Sequence, residues 1–273
     1  MAVAWGSLGP NPYPHVLFRD IACDSDNVAG IRDDGTILQW GDVWGGLGTP
    51  IPSGEFREID GGLFSFAAIR TDGTLAAWGI PFLGNLDVPT GTFKAVSIGK
   101  HANVGIRTDG SLAVWGAGLS VPPLGNDYVA ISAREQFALA LRADGTVVGW
   151  GSAGAGLLNI PPGLYRGIAA TRGYAAGIRD DGSVVFWGSS ANPNWSMTGT
   201  FAQIDIGAEG ALPVGLRTDG TLASLVNSGI TPPSGTFGGV AGGMAHYVAV
   251  VPSPASTLIF LGLFGARRRR RVA

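Results

Sequence analysis

A run of the form Ile/Leu-Arg-x-Asp-Gly-Thr/Ser, ending a few residues later in Trp-Gly, recurs along nearly the whole chain. The glycine of its Asp-Gly pair falls at Gly35, Gly73, Gly110, Gly145, Gly182 and Gly220, at spacings of 38, 37, 35, 37 and 38 residues. A unit this short cannot bury its own apolar face. A fixed period in this range therefore requires stacked copies, as a propeller, a solenoid or an array. The even repeat argues for one body with a continuous core rather than for two domains.

In the unit that begins at Phe93, three runs of β-branched, aromatic and small residues lie at Phe93 to Gly99, His101 to Arg107 and Ser111 to Gly116. Glycine-containing breaks separate them, which predicts a three-stranded meander. Glycine tolerates φ > 0 and Asp tolerates the left-handed region, so Asp109-Gly110 predicts a tight hairpin between the second and third strands. After each Trp-Gly comes a connector of variable length and content, such as Ile80 to Gly91. Variable connectors on a repeated frame are where such folds place binding surfaces. No segment carries a sustained 3.6-residue apolar period with caps, so almost no helix is expected. A chain with 45 Gly, 17 Pro and 45% hydrophobic residues fits a turn-rich all-β protein.

Met1 to Gly6 matches the third run of a unit without the first two, and Phe237 to Val250 matches the first two without the third. Six complete units and one split between 1–6 and 237–251 make seven. Pairing Ala2–Trp5 with Tyr247–Val251 would close a ring and remove the sheet edges of an open array. The expected fold is all-β: a seven-bladed β-propeller of ~37-residue repeats over 1–251, closed by its terminal strands and followed by a tail over 252–273.

These residues resemble the regulator of chromosome condensation repeat family, above all in Leu141-Arg142-Ala143-Asp144-Gly145-Thr146 running to Trp150-Gly151. The likeness covers 1–251. The compact units are more similar to a bacterial branch, which includes a secreted β-lactamase inhibitor protein, than to the longer eukaryotic units that act on the small GTPase Ran. The resemblance implies a seven-bladed propeller with a protein partner. The sixth unit departs from the pattern, with Leu225 where Trp is expected, so looser packing is expected there.

The tail resembles the PEP-CTERM sorting signal of exosortase systems. A Pro-x-Pro motif at Pro252, Ser253 and Pro254 is followed by a short apolar span and then by Arg267, Arg268, Arg269, Arg270 and Arg271. Ser253 replaces the usual Glu, and the uninterrupted apolar part, Leu258 to Ala266, is shorter than the ~20 residues of a full span. The arginines would stay cytoplasmic by the positive-inside bias. The resemblance implies an exported bacterial protein of the cell envelope or extracellular space, with an exosortase-like processing enzyme and transient membrane contact. Because the first residues fit mid-repeat, the natural start and a signal peptide are expected upstream of Met1.

Five of the eighteen basic residues lie in that arginine cluster, leaving the body thirteen against twenty acidic residues, a net charge of −7. Such a body is a poor generic binder of nucleic acid, whose affinity rests on neutralised phosphates. The single Cys23 excludes an internal disulfide and a cysteine-rich zinc site. Trp40, Trp78, Trp115, Trp150 and Trp187 hold one position in each unit, which predicts packing between blades rather than a ligand ring. Arg32, Arg70, Arg107, Arg142, Arg179 and Arg217 each stand two residues before an Asp-Gly turn, which predicts a structural contact or solvated rim rather than an anion ring.

Asp33-Asp34 and Asp180-Asp181 lack the further oxygens of a calcium loop. Gly149 to Gly154 fits GxGxxG, but no helix pattern follows it. His15, His101 and His246 lie in different units without metal spacing, and Asn194-Trp195-Ser196 is a formal glycosylation acceptor that a bacterial chain would not use. There is no Walker A loop, GxSxG elbow or HExxH. No catalytic, cofactor or metal site is expected.

The remaining candidates are residues that vary on the fixed frame. In the turn between the first two strands these are Asp26, Phe64, His101, Gln136, Gly173 and Ala245, with Lys100, Glu135, Arg172 and His246 beside them. The connector aromatics Trp44, Phe82 and Trp195 are further anchors for a protein partner. Solvated loops vary in the same way. The expected function is that of a monomeric, non-catalytic, exported propeller serving as an envelope or matrix interaction module. A specific protein inhibitor or regulator is the alternative, and an enzyme with a site in the central channel a remote one.

Overall fold

Two tight turns per repeat fold each unit back on itself twice, and the result is an antiparallel three-stranded sheet. A computed structural model describes residues 1–6, 13, 15–41, 47–152, 154, 156–207, 211–226, 228–229, 231–243 and 246–251. The sorting-signal residues Pro252, Ser253, Pro254 and Arg267 to Arg271 lie outside these, as do Trp44 and Ala245. Among the described residues there are seven such sheets and no helix.

Blade 1 consists of β2 (Phe18–Cys23), β3 (Asn27–Arg32) and β4 (Ile37–Gly41), and blade 2 of β5 (Phe56–Gly61), β6 (Ser65–Arg70) and β7 (Leu75–Gly79). Blade 3 holds β8 (Phe93–Ile98), β9 (Ala102–Arg107) and β10 (Leu112–Gly116), and blade 4 holds β11 (Tyr128–Arg134), β12 (Phe137–Arg142) and β13 (Val147–Gly151). Blade 5 is β14 (Tyr165–Ala170), β15 (Ala175–Arg179) and β16 (Val184–Trp187), and blade 6 is β17 (Phe201–Ile206), β18 (Pro213–Arg217) and β19 (Leu222–Ser224). Blade 7 combines β20 (Gly239–Gly242) and β21 (His246–Val250) with β1 (Ala2–Gly6). As the split repeat implied, β1 pairs antiparallel with β21, Ala2 opposite Val250 and Trp5 opposite Tyr247.

The Asp-Gly hairpins differ from expectation in one respect. In blade 2 the Gly73 N–H donates to the Arg70 carbonyl at 2.9 Å and the Arg70 N–H to the Thr74 carbonyl at 2.8 Å, a three-residue loop. Only the glycine is left-handed, with φ 91° at Gly73, whereas no turn aspartate has positive φ. Asp72 works through its carboxylate, which accepts the Thr74 N–H at 2.8 Å and the Thr74 hydroxyl at 2.7 Å. Asp34, Asp109, Asp144, Asp181 and Asp219 make the same pair of bonds. These bonds hold all six carboxyls below the usual carboxylate range.

In blades 2 to 6 the arginine column clamps the connector to its blade. In blade 3, Arg107 lies 5.0 Å over the buried Phe93 ring and donates to the Thr90 carbonyl at 2.8 Å. Arg70 over Phe56, Arg142 over Tyr128, Arg179 over Tyr165 and Arg217 over Phe201 repeat the arrangement, each contact stabilising by about 0.5–2 kcal/mol. In blades 2, 3, 5 and 6 a glycine two residues before the aromatic makes room for the clamp: Gly91 has φ 111°, and a Cβ there would stand 2.5 Å from Arg107 Nη1.

No blade has a core of its own. Seven apolar clusters each draw residues from two adjacent blades, such as Ala67, Ile69 and Leu75 of blade 2 with Phe93, Val96, Ile98, Ala113 and Trp115 of blade 3. The seam of blades 7 and 1 joins Val248 and Val250 to Phe18 and Trp40 in the same way. The tryptophan column is thus buried between blades, and at three positions its Nε1 fastens the seam: Trp78 donates to Gln39 Oε1 at 2.8 Å, Trp115 to the Asn85 carbonyl at 3.0 Å and Trp187 to the Leu157 carbonyl at 2.9 Å. In the seam of blades 5 and 6, buried Leu225 is joined by Met197 and half-buried Trp195, so packing is kept without the expected Trp.

The first strand of each blade lines a central channel with a cavity of about 200 Å³. These strands do not pair with one another, and side chains cap their inward N–H groups instead. Asp20 accepts from Ile59 N at 3.1 Å, Glu58 from Val96 N at 3.1 Å, Asp60 from Ile98 N at 2.7 Å and Asp205 from Gly242 N at 2.8 Å. Ser97, Ser132 and Gln203 do the same for Ala133, Ala170 and Val240. Burial, with the Glu58 carboxylate adding to it, lifts Asp20 to about 7, and burial lifts Asp205 to about 6.

Two outcomes are expected. Gly91→Ala should cost about 1–3 kcal/mol in urea unfolding, since it strains φ and displaces Arg107, while Gly154→Ala, with nothing near its Cβ, should stay within about 0.5 kcal/mol. Asp20 binds its proton to higher pH in the folded state than in the unfolded chain, so its contribution to stability falls as pH rises from about 4 to about 7. Asp20→Asn should flatten that decline relative to wild type in pH-dependent melting. The turn aspartates act oppositely, their contribution being lost as pH falls below about 4.

Candidate functional site

The first strand of each blade ends, and the second begins, at one end of the channel, the hairpin face; the Asp-Gly turns occupy the other end. The innermost strands come together closely there. A Cβ on Gly62 would collide with the Gly99 carbonyl, so glycine alone lets those two blades meet. Among the described residues, three non-glycine residues have positive φ: Phe64 at 61°, Leu83 at 49° and Glu135 at 41°. All three lie on the hairpin face. Holding an L side chain in the left-handed region costs roughly 1–2 kcal/mol, and two of the three are large apolar groups turned to water. Phe64 is 42% exposed, Leu83 58%, and the neighbouring Phe82 53%. Phe82 also leans on half-buried His101, ring centroids 5.4 Å apart.

At the channel mouth, Lys100 of blade 3, Glu135 of blade 4 and Arg172 of blade 5 surround a small cavity with Leu63. Below them Arg134 reaches across the channel. Its Nη1 donates to the Ile98 carbonyl at 3.1 Å and the Ala133 carbonyl at 3.0 Å, and its Nη2 to the Ile206 carbonyl of blade 6 at 3.1 Å.

The other candidates are placed differently. Asp26 is exposed on a rigid blade 1 turn in which the Asp24 carboxylate accepts the Asp26 N–H at 2.9 Å and the Asn27 N–H at 2.7 Å. Gln136 is exposed on blade 4, and half-buried Gly173 lies under Ser190. His246 is a correction: it is fully buried in β21, with both ring nitrogens unbonded, and burial pulls its imidazole down to about 4. Trp195 is a second one, because it packs edge-on against Tyr174 at 4.7 Å and fills a seam rather than standing free.

Leu63, Leu83 and Arg134 were missed by sequence. Arg134 left a signal, since it takes the place filled by Gly62, Gly99, Gly207 and Gly243 in other blades. In the channel each acidic side chain already caps a neighbouring strand. Among the described residues no group of three His, Cys, Asp or Glu side chains is placed to hold a metal ion.

This geometry defines a seven-bladed β-propeller with one irregular, strained face. No family model matches the chain, and no curated protein matches it. Solved structures do. The chain is similar to human WBSCR16 at 15% identity, with a TM-score of 0.71, over 93% of this chain and 99% of that one. It is similar to Prp20p from Saccharomyces cerevisiae at 14% identity and TM-score 0.70, over 94% and 93%. The ectodomain of the Arabidopsis thaliana receptor kinase ACR4 matches at 19% identity and TM-score 0.69, over 86% and 95%. At these identities the likeness establishes the fold.

Replacing Phe64 or Leu83 by Gly should raise stability by about 1 kcal/mol through relief of backbone strain, seen as a higher urea midpoint. A lower midpoint would mean that these side chains serve packing.

Proposed function

We propose that this chain is a non-catalytic propeller of the regulator of chromosome condensation type that binds a protein partner on its hairpin face, over blades 2 to 5. The strained, exposed Phe64 and Leu83 carry this reading. Residues held in costly conformations with apolar groups in water are explained by a docking surface, where large side chains anchor a partner. Yeast RCC1 (Prp20), another propeller of this shape, has been seen bound to Kap60, which supports a protein as the ligand. A full-length tagged chain should retain a partner from extracts of its native host, and Phe64→Gly with Phe82→Ala should lose it, whereas Asp109→Asn on the opposite face should not. A single stoichiometric partner at nanomolar affinity identifies a specific inhibitor or regulator; retention of several weak ones identifies an envelope or matrix module.

The tail pattern supports export and processing by an exosortase-like enzyme, with transient membrane contact. Mass spectrometry of the native protein should find the C-terminus cleaved before Arg267. An intact cytosolic chain carrying all five arginines would sink the export reading.

A further inference from the structure

The mouth of the channel has a chemistry of its own. Lys100, Glu135 and Arg172 occupy one turn position in three successive repeats, around a cavity of about 30 Å³ floored by Gly62, Gly99 and Arg134. Lys100 and Arg172 face one carboxylate there, on a body that is otherwise strongly acidic. The Arg172–Glu135 pair is long, 3.7 Å from Nε to Oε1, and the Arg172 side chain is 66% exposed. Water screens such a pair, and little energy is lost when another carboxylate takes it over. Arg134 beneath is tied to three carbonyls of three blades, a fixed cation that cannot swing away. An acidic group arriving from solvent therefore meets positive charge in a space suited to one small polar group.

Close by lie the apolar anchors. Because Gly62 and Gly99 meet backbone to backbone, the turn tips Leu63-Phe64 and Lys100-His101 stand side by side, with Phe82 over His101. A single short segment of a partner spans both features.

We propose that the partner presents an Asp or Glu beside a large apolar residue on one short segment. The carboxylate enters the mouth between Lys100 and Arg172, displacing Glu135 from the guanidinium, while the apolar side chain rests on Phe64, Phe82 and Leu83. This rests on the hairpin face being the docking surface and narrows its ligand to an acidic-apolar motif.

Fluorescence anisotropy on the full chain, with labelled ten-residue peptides carrying Leu-Phe followed by Asp-Glu or by Lys-Lys, tests it. The acidic peptide should bind, and its affinity should fall about tenfold in the Lys100→Glu/Arg172→Glu variant, which should in turn gain affinity for the lysine peptide. The urea midpoint of the variant serves as its folding control. Equal binding of the two peptides, binding of neither at about 1 mM, or an affinity unmoved by charge reversal would overturn the proposal. The cellular partner separates the two readings. If it is lost with Phe64→Gly but kept by the charge-reversed chain, the face is right and the acidic motif wrong; if it is kept by both, the docking face itself fails.

Discussion

Everything in this ring depends on the seam between blades. Each three-stranded sheet is apolar on both faces and too thin to enclose a core, so its large side chains are buried only when a neighbour covers them. Phe93 and Trp115 belong by sequence to the third unit, yet they pack with Ala67, Ile69 and Leu75 of the second. The other repeated devices serve this one: the arginine clamps tie connectors down beside the seams, the N–H groups of Trp78, Trp115 and Trp187 pin three of them, and channel side chains cap the strand edges that ring closure leaves unpaired. A blade cannot be stable alone, and the seventh seam, between Val248, Val250, Phe18 and Trp40, exists only because the chain ends complete one sheet.

The repeats made the blade count, the strand number and the split blade legible, because periodicity is a property of the sequence itself. The arginine and tryptophan columns were legible as columns, but their partners were not. Arg107 meets Phe93, its register partner on the neighbouring strand, and Thr90 of the connector, contacts that show only once the sheet pairing is in place. The Asp-Gly turn was read through backbone preference when the aspartate acts through its side chain on Thr74. His246 was misread for a related reason: it follows the turn by alignment yet sits in a strand, and burial, invisible to a linear pattern, decides its role. Asp20, Glu58, Asp60 and Asp205 fall in no repeated column, so the sequence does not mark them. Their task needed the neighbouring blade to be in place before it could be seen.

The functional surface is legible by contrast with this regularity. The Asp-Gly end repeats one turn six times with every carboxylate bonded, and five of its arginines are stacked on a ring. The hairpin end is uneven: glycine, aromatic, lysine, glutamate and arginine follow one another around the mouth, and among the described residues the left-handed strain carried by non-glycine residues falls there. A frame that can afford relaxed turns on one side and keeps strained ones on the other separates folding from recognition by geometry. That division agrees with local conflict marking functional sites.

The closing blade has one further consequence. β21 is the middle strand of its sheet, flanked by β20 on one side and β1 on the other, and the chain leaves it directly at Val251. Any force exerted on the segment beyond is therefore carried in shear by two ladders at once, one of them made with the first residues of the chain. A body tethered through that end would hang from its own lock. The tether would share its load with the very strand pairing that keeps the ring from opening.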